Sequence, residues 1–321
     1  MAAPLWKDWI VTLGSSDSYE FKVYDGSTNS GALIYTGNAY KKPGATNVTV
    51  KVNDIIKDYL YQIMGAVAVP IVKFFSVYVG TSRIEYEQIY LCLDGETVLS
   101  STAMLINVPI TGRIQVGTPI PITKLAIMSE EILINYYNGA SLTRVSLGTT
   151  ADVKNFLQTC ASGYDRAVVF PRFSTVDHTE LGFNLTVIPK CHRWQLYYQN
   201  ALGGLDCLVI EGKSVQRDKY GRVVISKAYD NTSTTIRNAG KAVVDTEVTR
   251  TWELHTGWLT DAEAGRMGHL LGSPLVYLYD CVSGVYYPVI MKTDEYQQKV
   301  TRYDGMIQYT INVELAETLK R

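Results

Sequence analysis

The chain has 321 residues, 46% of them apolar and 19% charged, with 30 Lys and Arg against 31 Asp and Glu. That composition excludes a disordered chain and a polyelectrolyte, and a net charge of −1 leaves no global field to gather nucleic acid or anionic lipid. Of the 35 aromatic residues 23 are Tyr, a residue that favours strands and enriches interfaces.

In chain order, Met1 to Trp9 has no basic region followed by an apolar stretch, so no signal peptide is read there and folding in a cytoplasm is expected. Asn53 or Asp54 caps a first helix carrying Ile55, Ile56, Tyr59, Leu60 and Ile63. The apolar run Ile63 to Val72 contains Gly65 and Pro70 and falls short of the roughly 18 residues that span a bilayer, so it reads as a domain junction without membrane insertion. Thr149 and Asp152 open a second helix carrying Val153, Phe156, Leu157 and Cys160 at helical spacing. Phe183, Leu185 and Val187 alternate as a strand, as do Trp194, Leu196 and Tyr198. In Val248, Arg250, Trp252 and Leu254 the arginine breaks the apolar pattern. Thr260 and Glu263 form a capping box, with Leu259 and Ala264 placed as a hydrophobic staple, and Gly272 with Pro274 ends that helix after about three turns. Turn signals at Ser283-Gly284 and Asp304-Gly305 separate strands near 275–279, 285–291, 295–303 and 307–315, a meander with one helix on it. The fold class read from this pattern is mainly β: antiparallel β-sandwich domains with a few short flanking helices. Three units are expected, at 1–66, 67–148 and 149–321.

Chemistry is sparsely marked. No GxSxG, HExxH or GxGxxG pattern is present, and Gly212-Lys213-Ser214 fails as a phosphate loop because Cys207 stands where the first Gly is required. It reads as a turn. The stretch Lys213 to Arg222 mixes charges as a solvated hairpin does, so sequence-specific nucleic-acid binding is not expected. The five Cys residues contain no CxxC pair and read as reduced, buried thiols. Cys191-His192 is a weak ligand pair, Asp177-His178 could belong to a triad with no activated Ser to name, and Asp25-Gly26 and Asp94-Gly95-Glu96 read as turns. No metal, no cofactor and no enzymatic activity are expected. A glycoside hydrolase stays open as an alternative, because paired carboxylates are recognised by spacing in space.

One segment is distinctive: Arg193-Trp194-Gln195-Leu196-Tyr197-Tyr198-Gln199-Asn200-Ala201-Leu202-Gly203-Gly204-Leu205-Asp206. An aromatic strand runs into a corner where Gly203 and Gly204 permit positive φ or close approach and Asn200 and Asp206 can bond turn amides. Trp258 marks the junction into the capped helix.

The Tyr-x-Asn-x-x-Gly-Gly-x-Asp signature at Tyr198 to Asp206 resembles one found in structural proteins of tailed bacteriophages of gut anaerobes, including the crAss-like phages. Ile34-Tyr35-Thr36-Gly37 with Pro43-Gly44 and Asn53 to Leu60 resembles the same group, as does Thr256 to Thr260 with Ser273 to Tyr277. The resemblance implies a virion protein of the tail, baseplate or neck, made in the host bacterial cytoplasm. Its closing strand, helix and meander are similar to the distal-tail and tail-tube fold, a β-sandwich flanked by one helix. Its partners would be copies of itself in a ring, six-fold or a multiple, together with other tail or neck proteins. No long hydrophobic hairpin of the kind tube proteins use is evident, so a baseplate or distal-tail ring is expected rather than the tube. A head-to-tail connector ring is the alternative, or a carbohydrate-binding adhesion module in which Trp6 and Trp258 stack on a host-surface glycan.

Overall fold

A computed structural model describes residues 3–4, 8–63, 72–90, 111–124, 130–150, 154–173, 175–226, 241–293, 307–317 and 319–320. Trp6, Cys92, Asp94-Gly95-Glu96, Asp304-Gly305, the expected strand at 295–303 and the middle of the 63–72 run lie outside them. The chain is mainly β, in several largely antiparallel sheets with a few short helices, as its alternating pattern requires. Grouping by contact gives two units, Met1–Lys190 with Gln199–Cys207, and Cys191–Tyr198 with Leu208–Arg321.

The first part of the chain is a small sandwich. Strands β1 (Ala3–Pro4), β2 (Ile10–Gly14), β3 (Ser18–Asp25), β4 (Ala32–Tyr40) and β5 (Val48–Lys51) precede helix α1 (Asn53–Ile63), then β6 (Val72–Val79) and β7 (Ser82–Tyr90) follow. The order β1-β7-β6-β3-β4 makes one sheet and β2-β5 a second. Val11, Phe21, Val23, Val48, Phe75 and Val77 close one core with Ile56 and Leu60 of α1, as the helical spacing of those two demands. Asn53, expected as a cap, has its Oδ1 accepting the Trp9 N–H at 2.6 Å, which ties the start of the helix to the residue just before β2. Asp25 ends β3 and Gly26 turns the chain at φ 143°, matching the turn read there.

Strands β8 (Thr111–Gln115), β9 (Pro119–Lys124), β10 (Glu130–Asn138), β11 (Ser141–Thr150), β12 (Lys154–Thr159), β13 (Arg166–Phe173), β14 (Val176–Asp177) and β15 (Phe183–Ile188) follow. The order β11-β10-β13-β15-β8 is a sheet in which only β15 and β8 run parallel, while β12 pairs with β9. The helix expected from Thr149 is corrected: Phe156 and Leu157 lie in β12, whose six residues pair antiparallel with Ile120 to Lys124 and Pro119. Spacing of 3 and 4 between four apolar residues fits a helix, but here partner backbone supplies the hydrogen bonds and Phe156 and Leu157 point to opposite faces. The expected boundary at 148/149 rested on that helix, and one sheet crosses it, since β10 pairs with β11 on one side and β13 on the other.

The last part holds β16 (Trp194–Gln199), β17 (Leu205–Ile210), β18 (Ser214–Ser226), β19 (Lys241–His255), α2 (Asp261–Ala264), α3 (Met267–Leu271), β20 (Val276–Asp280), β21 (Val285–Met291), β22 (Thr310–Leu315) and β23 (Leu319–Lys320). The sheet order is β17-β16-β20-β21-β22-β19-β18, with β23 on β19. Trp194, Leu196, Tyr198, Trp252, Leu254, Leu278, Ile311 and Val313 share one core with Met267 and Leu270, so the expected sheet faces and the helix lying on them are found. The capping box is present: Thr260 Oγ1 accepts the Glu263 N–H at 3.3 Å and Glu263 Oε2 accepts the Thr260 N–H at 2.9 Å. One continuous three-turn helix is corrected to two short ones, because the chain turns at Gly265 and Arg266 before α3 begins.

Candidate assembly surface

The corner between β16 and β17 is a closed polar knot. Asn200 is fully buried; its N–H donates to Gly204 O at 2.8 Å, its Oδ1 accepts the Gly204 N–H at 2.9 Å, and its Nδ2 donates to Asp206 Oδ2 at 2.9 Å. Gly203 carries the left-handed φ of 87° and donates its N–H to Asn200 O at 2.9 Å. Gly204 is not among the glycines of positive φ, so the strained position expected at either glycine belongs to Gly203. Leu205 N–H donates to Thr123 Oγ1 at 2.9 Å. Four of the five sequence-predicted residues thus meet in one turn, tied within itself by Asn200 and to β9 through Thr123. This corner is a structural lock.

Trp258, the fifth, belongs to the other contact unit. It follows Gly257, whose φ is 75°, and its side chain is 57% exposed. Its backbone neighbours are strapped down: Thr256 N–H donates to Tyr309 O at 3.0 Å, and Leu259 and Ile307 exchange N–H to O bonds at 2.8 and 3.0 Å.

The tyrosine surplus has a location. On the sheet face opposite the Trp194 and Trp252 core, Tyr197, Tyr277, Tyr279 and Tyr286 pack ring to ring, with centroids 4.6 to 6.4 Å apart. Tyr197 is fully buried, and Gln195 Nε2 donates to its hydroxyl at 3.2 Å. Every residue of β16 and of β17 is buried, so the one-sided strand expected from alternation is buried on both sides.

The feature that sequence reading missed is the β18–β19 hairpin. The two strands pair without interruption from Ser214 opposite Leu254 to Ser226 opposite Lys241, apart from one bulge between Val223 and Val224. Strand β19 is held on its other side by β22 at Thr251 to His255 and by β23 at Glu247 and Val248. Residues 241–246 have β18 as their only strand partner among the described residues. At 3.3 Å per residue that free ribbon is about 20 Å long. It carries a cluster of exposed apolar side chains: Val223, Val224, Ile225, Val243 and Val244 are each 46% to 61% exposed, with Tyr220 at 45%. The expectation that no long hydrophobic hairpin exists is corrected. Its physical reason is plain in the sequence: the charged base from Lys213 to Arg222 reads as solvated, and no local pattern shows that the following valines have no core to enter.

The residues singled out in the sequence for chemistry have structural partners at Asp177 and His178. Asp177 is held by Arg172 Nε at 2.6 Å and by Arg144 at 2.7 Å, and the Arg172 guanidinium holds its carboxyl below the usual carboxylate range. His178 stacks flat on Phe173 with centroids 3.5 Å apart and pairs with Glu180 at 2.7 Å, so the two residues of the expected dyad turn to different partners. Burial pushes the Cys160 thiol up to about 12. Cys160, Cys207 and Cys281 are buried free thiols, whereas Cys191 is exposed, which corrects the expectation of uniformly buried cysteines. The hairpin turn read at Gly212 is corrected: β17 and β18 on either side of it are not neighbours in the sheet, and its N–H donates to His255 O at the end of β19 at 2.9 Å. Among the described residues no three His, Cys, Asp or Glu converge on a common metal position, and no helix is long and apolar enough to cross a membrane.

No family model matches the sequence, and no curated protein matches it. Solved structures give slight overlaps. The full extracellular region of plexin A4 aligns at 9% identity with a TM-score of 0.19, over 58% of this chain and 24% of plexin. A point mutant of Salmonella alpha-2-macroglobulin aligns at 6% and 0.21, over 98% of this chain and 32% of that one. The native alpha-2-macroglobulin of E. coli aligns at 9% and 0.21, over 100% and 33%. The chain spans a third or less of each of these proteins. A likeness of this size implies neither a shared fold nor a shared function.

Proposed function

We propose that this protein is a self-associating structural component of a bacteriophage virion, a ring of the tail or baseplate. The β18–β19 ribbon carries the reading. A two-stranded ribbon standing in water is marginal, and its free edges and apolar side chains invite pairing. Burying five or six half-exposed aliphatic residues is worth about 1 kcal/mol each, so an arm covered by a neighbour gains about 5 kcal/mol. An arm that docks on a different surface of the next copy makes a head-to-tail contact, and such contacts close into rings when the rotation allows.

The phage-like signatures at three separated places, including the locked corner at Asn200 to Asp206, supply the virion context. The arm removes the reason for preferring a distal-tail ring over a tube ring, and the ring itself is the common element of both. Quantitative mass spectrometry and electron microscopy of purified particles test the reading. The chain should be present in a fixed number of copies around the tail or neck axis, and its absence from intact virions would overturn the proposal.

A further inference from the structure

At one end of the sheet β11-β10-β13-β15-β8 lies an open cleft of about 530 Å³, within the size range of small-ligand pockets. Its frame is backbone. Asp165 N–H donates to Tyr137 O at 2.9 Å, Val187 N–H to Asp165 O at 2.9 Å, and Val116 N–H to Ile188 O at 3.0 Å. Such a frame keeps its shape when empty. Four polar residues line it: Asn138, Tyr164, Asp165 and Lys190. Gly139 N–H donates to one oxygen of Asp165 at 3.4 Å. The side chains of Asn138 and Lys190 make no hydrogen bond or ion pair with other described residues. The Tyr164 ring rests against buried Tyr136, centroids 5.1 Å apart and tilted by 34°, which backs the ring and fixes its angle.

We propose that this cleft binds a neutral saccharide. Charge selects the class: one carboxylate and one ammonium share the site, so an anion would meet Asp165 and a cation would meet Lys190. A neutral polyhydroxyl ring uses both, giving hydrogen bonds to Asp165 and receiving them from Lys190 and the Asn138 amide. Tyr164 offers the aromatic platform against which the C–H face of a sugar ring packs, and Val116 and Pro189 supply the remaining apolar wall. The site is distinct from Trp258, the stacking residue expected from sequence, and the inference does not rest on ring assembly. A monomer that binds sugar would sink the ring reading alone, and a ring that binds none would sink this one.

The test is a glycan array of neutral and sialylated glycans probed with the full chain, followed by calorimetry with the neutral glycan that binds best. Asn138→Ala and Lys190→Met change side chains that make no hydrogen bond or ion pair with the described residues, so their melting temperatures should match the parent while affinity falls at least tenfold. Tyr164→Ala should abolish binding. No neutral glycan bound at millimolar concentration would overturn the proposal. So would binding that survives all three substitutions, or binding confined to sialylated glycans.

Discussion

Arg250 and Asp218 face each other across the β18–β19 ladder in a two-pronged ion pair, with Nε and one terminal nitrogen of the guanidinium each 2.9 Å from one carboxylate oxygen. Arg250 is the residue that breaks the apolar alternation of Val248, Trp252 and Leu254, and it lies on the same strand face as those three. Val248, one step further toward the arm, is still fully buried, and the exposed arm begins beyond it. A planar guanidinium locked to a carboxylate fixes the angle at which the ribbon leaves the sheet, which an apolar pair in that half-wet position would not do.

Arg250→Ala therefore takes the guanidinium from the Asp218 carboxylate, which keeps the Gln216 amide at 3.3 Å. Both side chains are about one-fifth exposed, so the loss should be about 1–2 kcal/mol. Urea unfolding followed by near-UV circular dichroism, where Trp252 reports, measures it. Arg250→Lys should recover less than half, because an ammonium cannot make the paired contact.

At the β16–β17 corner, Asn200→Ala removes two side-chain hydrogen bonds, one of them to the Asp206 carboxylate, whose residue is 3% exposed. A cost of about 3 kcal/mol is expected. Gly203→Ala forces a side chain into φ 87° and should cost about 1–2 kcal/mol, whereas Gly204→Ala carries no such backbone penalty. Equilibrium unfolding of the three variants gives the order Asn200, Gly203, Gly204.

Asp177 sets a pH dependence. Its carboxyl is held below its usual range by Arg172 and then by Arg144, so its folded pKa lies under its unfolded one of about 3.9. The stability it contributes is present above pH 3.9 and is lost as pH falls through the folded value. Melting temperature should therefore drop between pH 5 and pH 3, and Asp177→Asn should flatten that part of the drop. Parallel slopes in parent and variant would show that the pair contributes nothing.

Several elements could be read directly from the residues. Ile307, Ile311 and Val313 are buried as their alternation requires, and the Thr260 and Glu263 capping box forms with both of its bonds. Helix α1 buries Ile56 and Leu60 on the expected face. What stayed hidden depends on neighbours distant in sequence. Phe156 and Leu157 carry helical spacing, yet pairing with β9 made them a strand. Gln195 and Gln199 look like the wet face of β16, yet both are buried. Valines 223, 224, 243 and 244 look like core, yet stand in solvent. In each case the local sequence is compatible with two environments, and long-range packing selects one.

The account turns on the arm, and light scattering after size exclusion tests it most directly. The parent chain at about 50 µM should run as a closed ring, a single species of several copies. A variant carrying Val223→Ser, Ile225→Ser, Val243→Ser and Val244→Ser should run as a monomer with an unchanged melting temperature, since these residues lie outside both large hydrophobic cores. A parent that stays monomeric at that concentration, or a ring that persists in the variant, would contradict the claim that the β18–β19 ribbon joins one copy to the next.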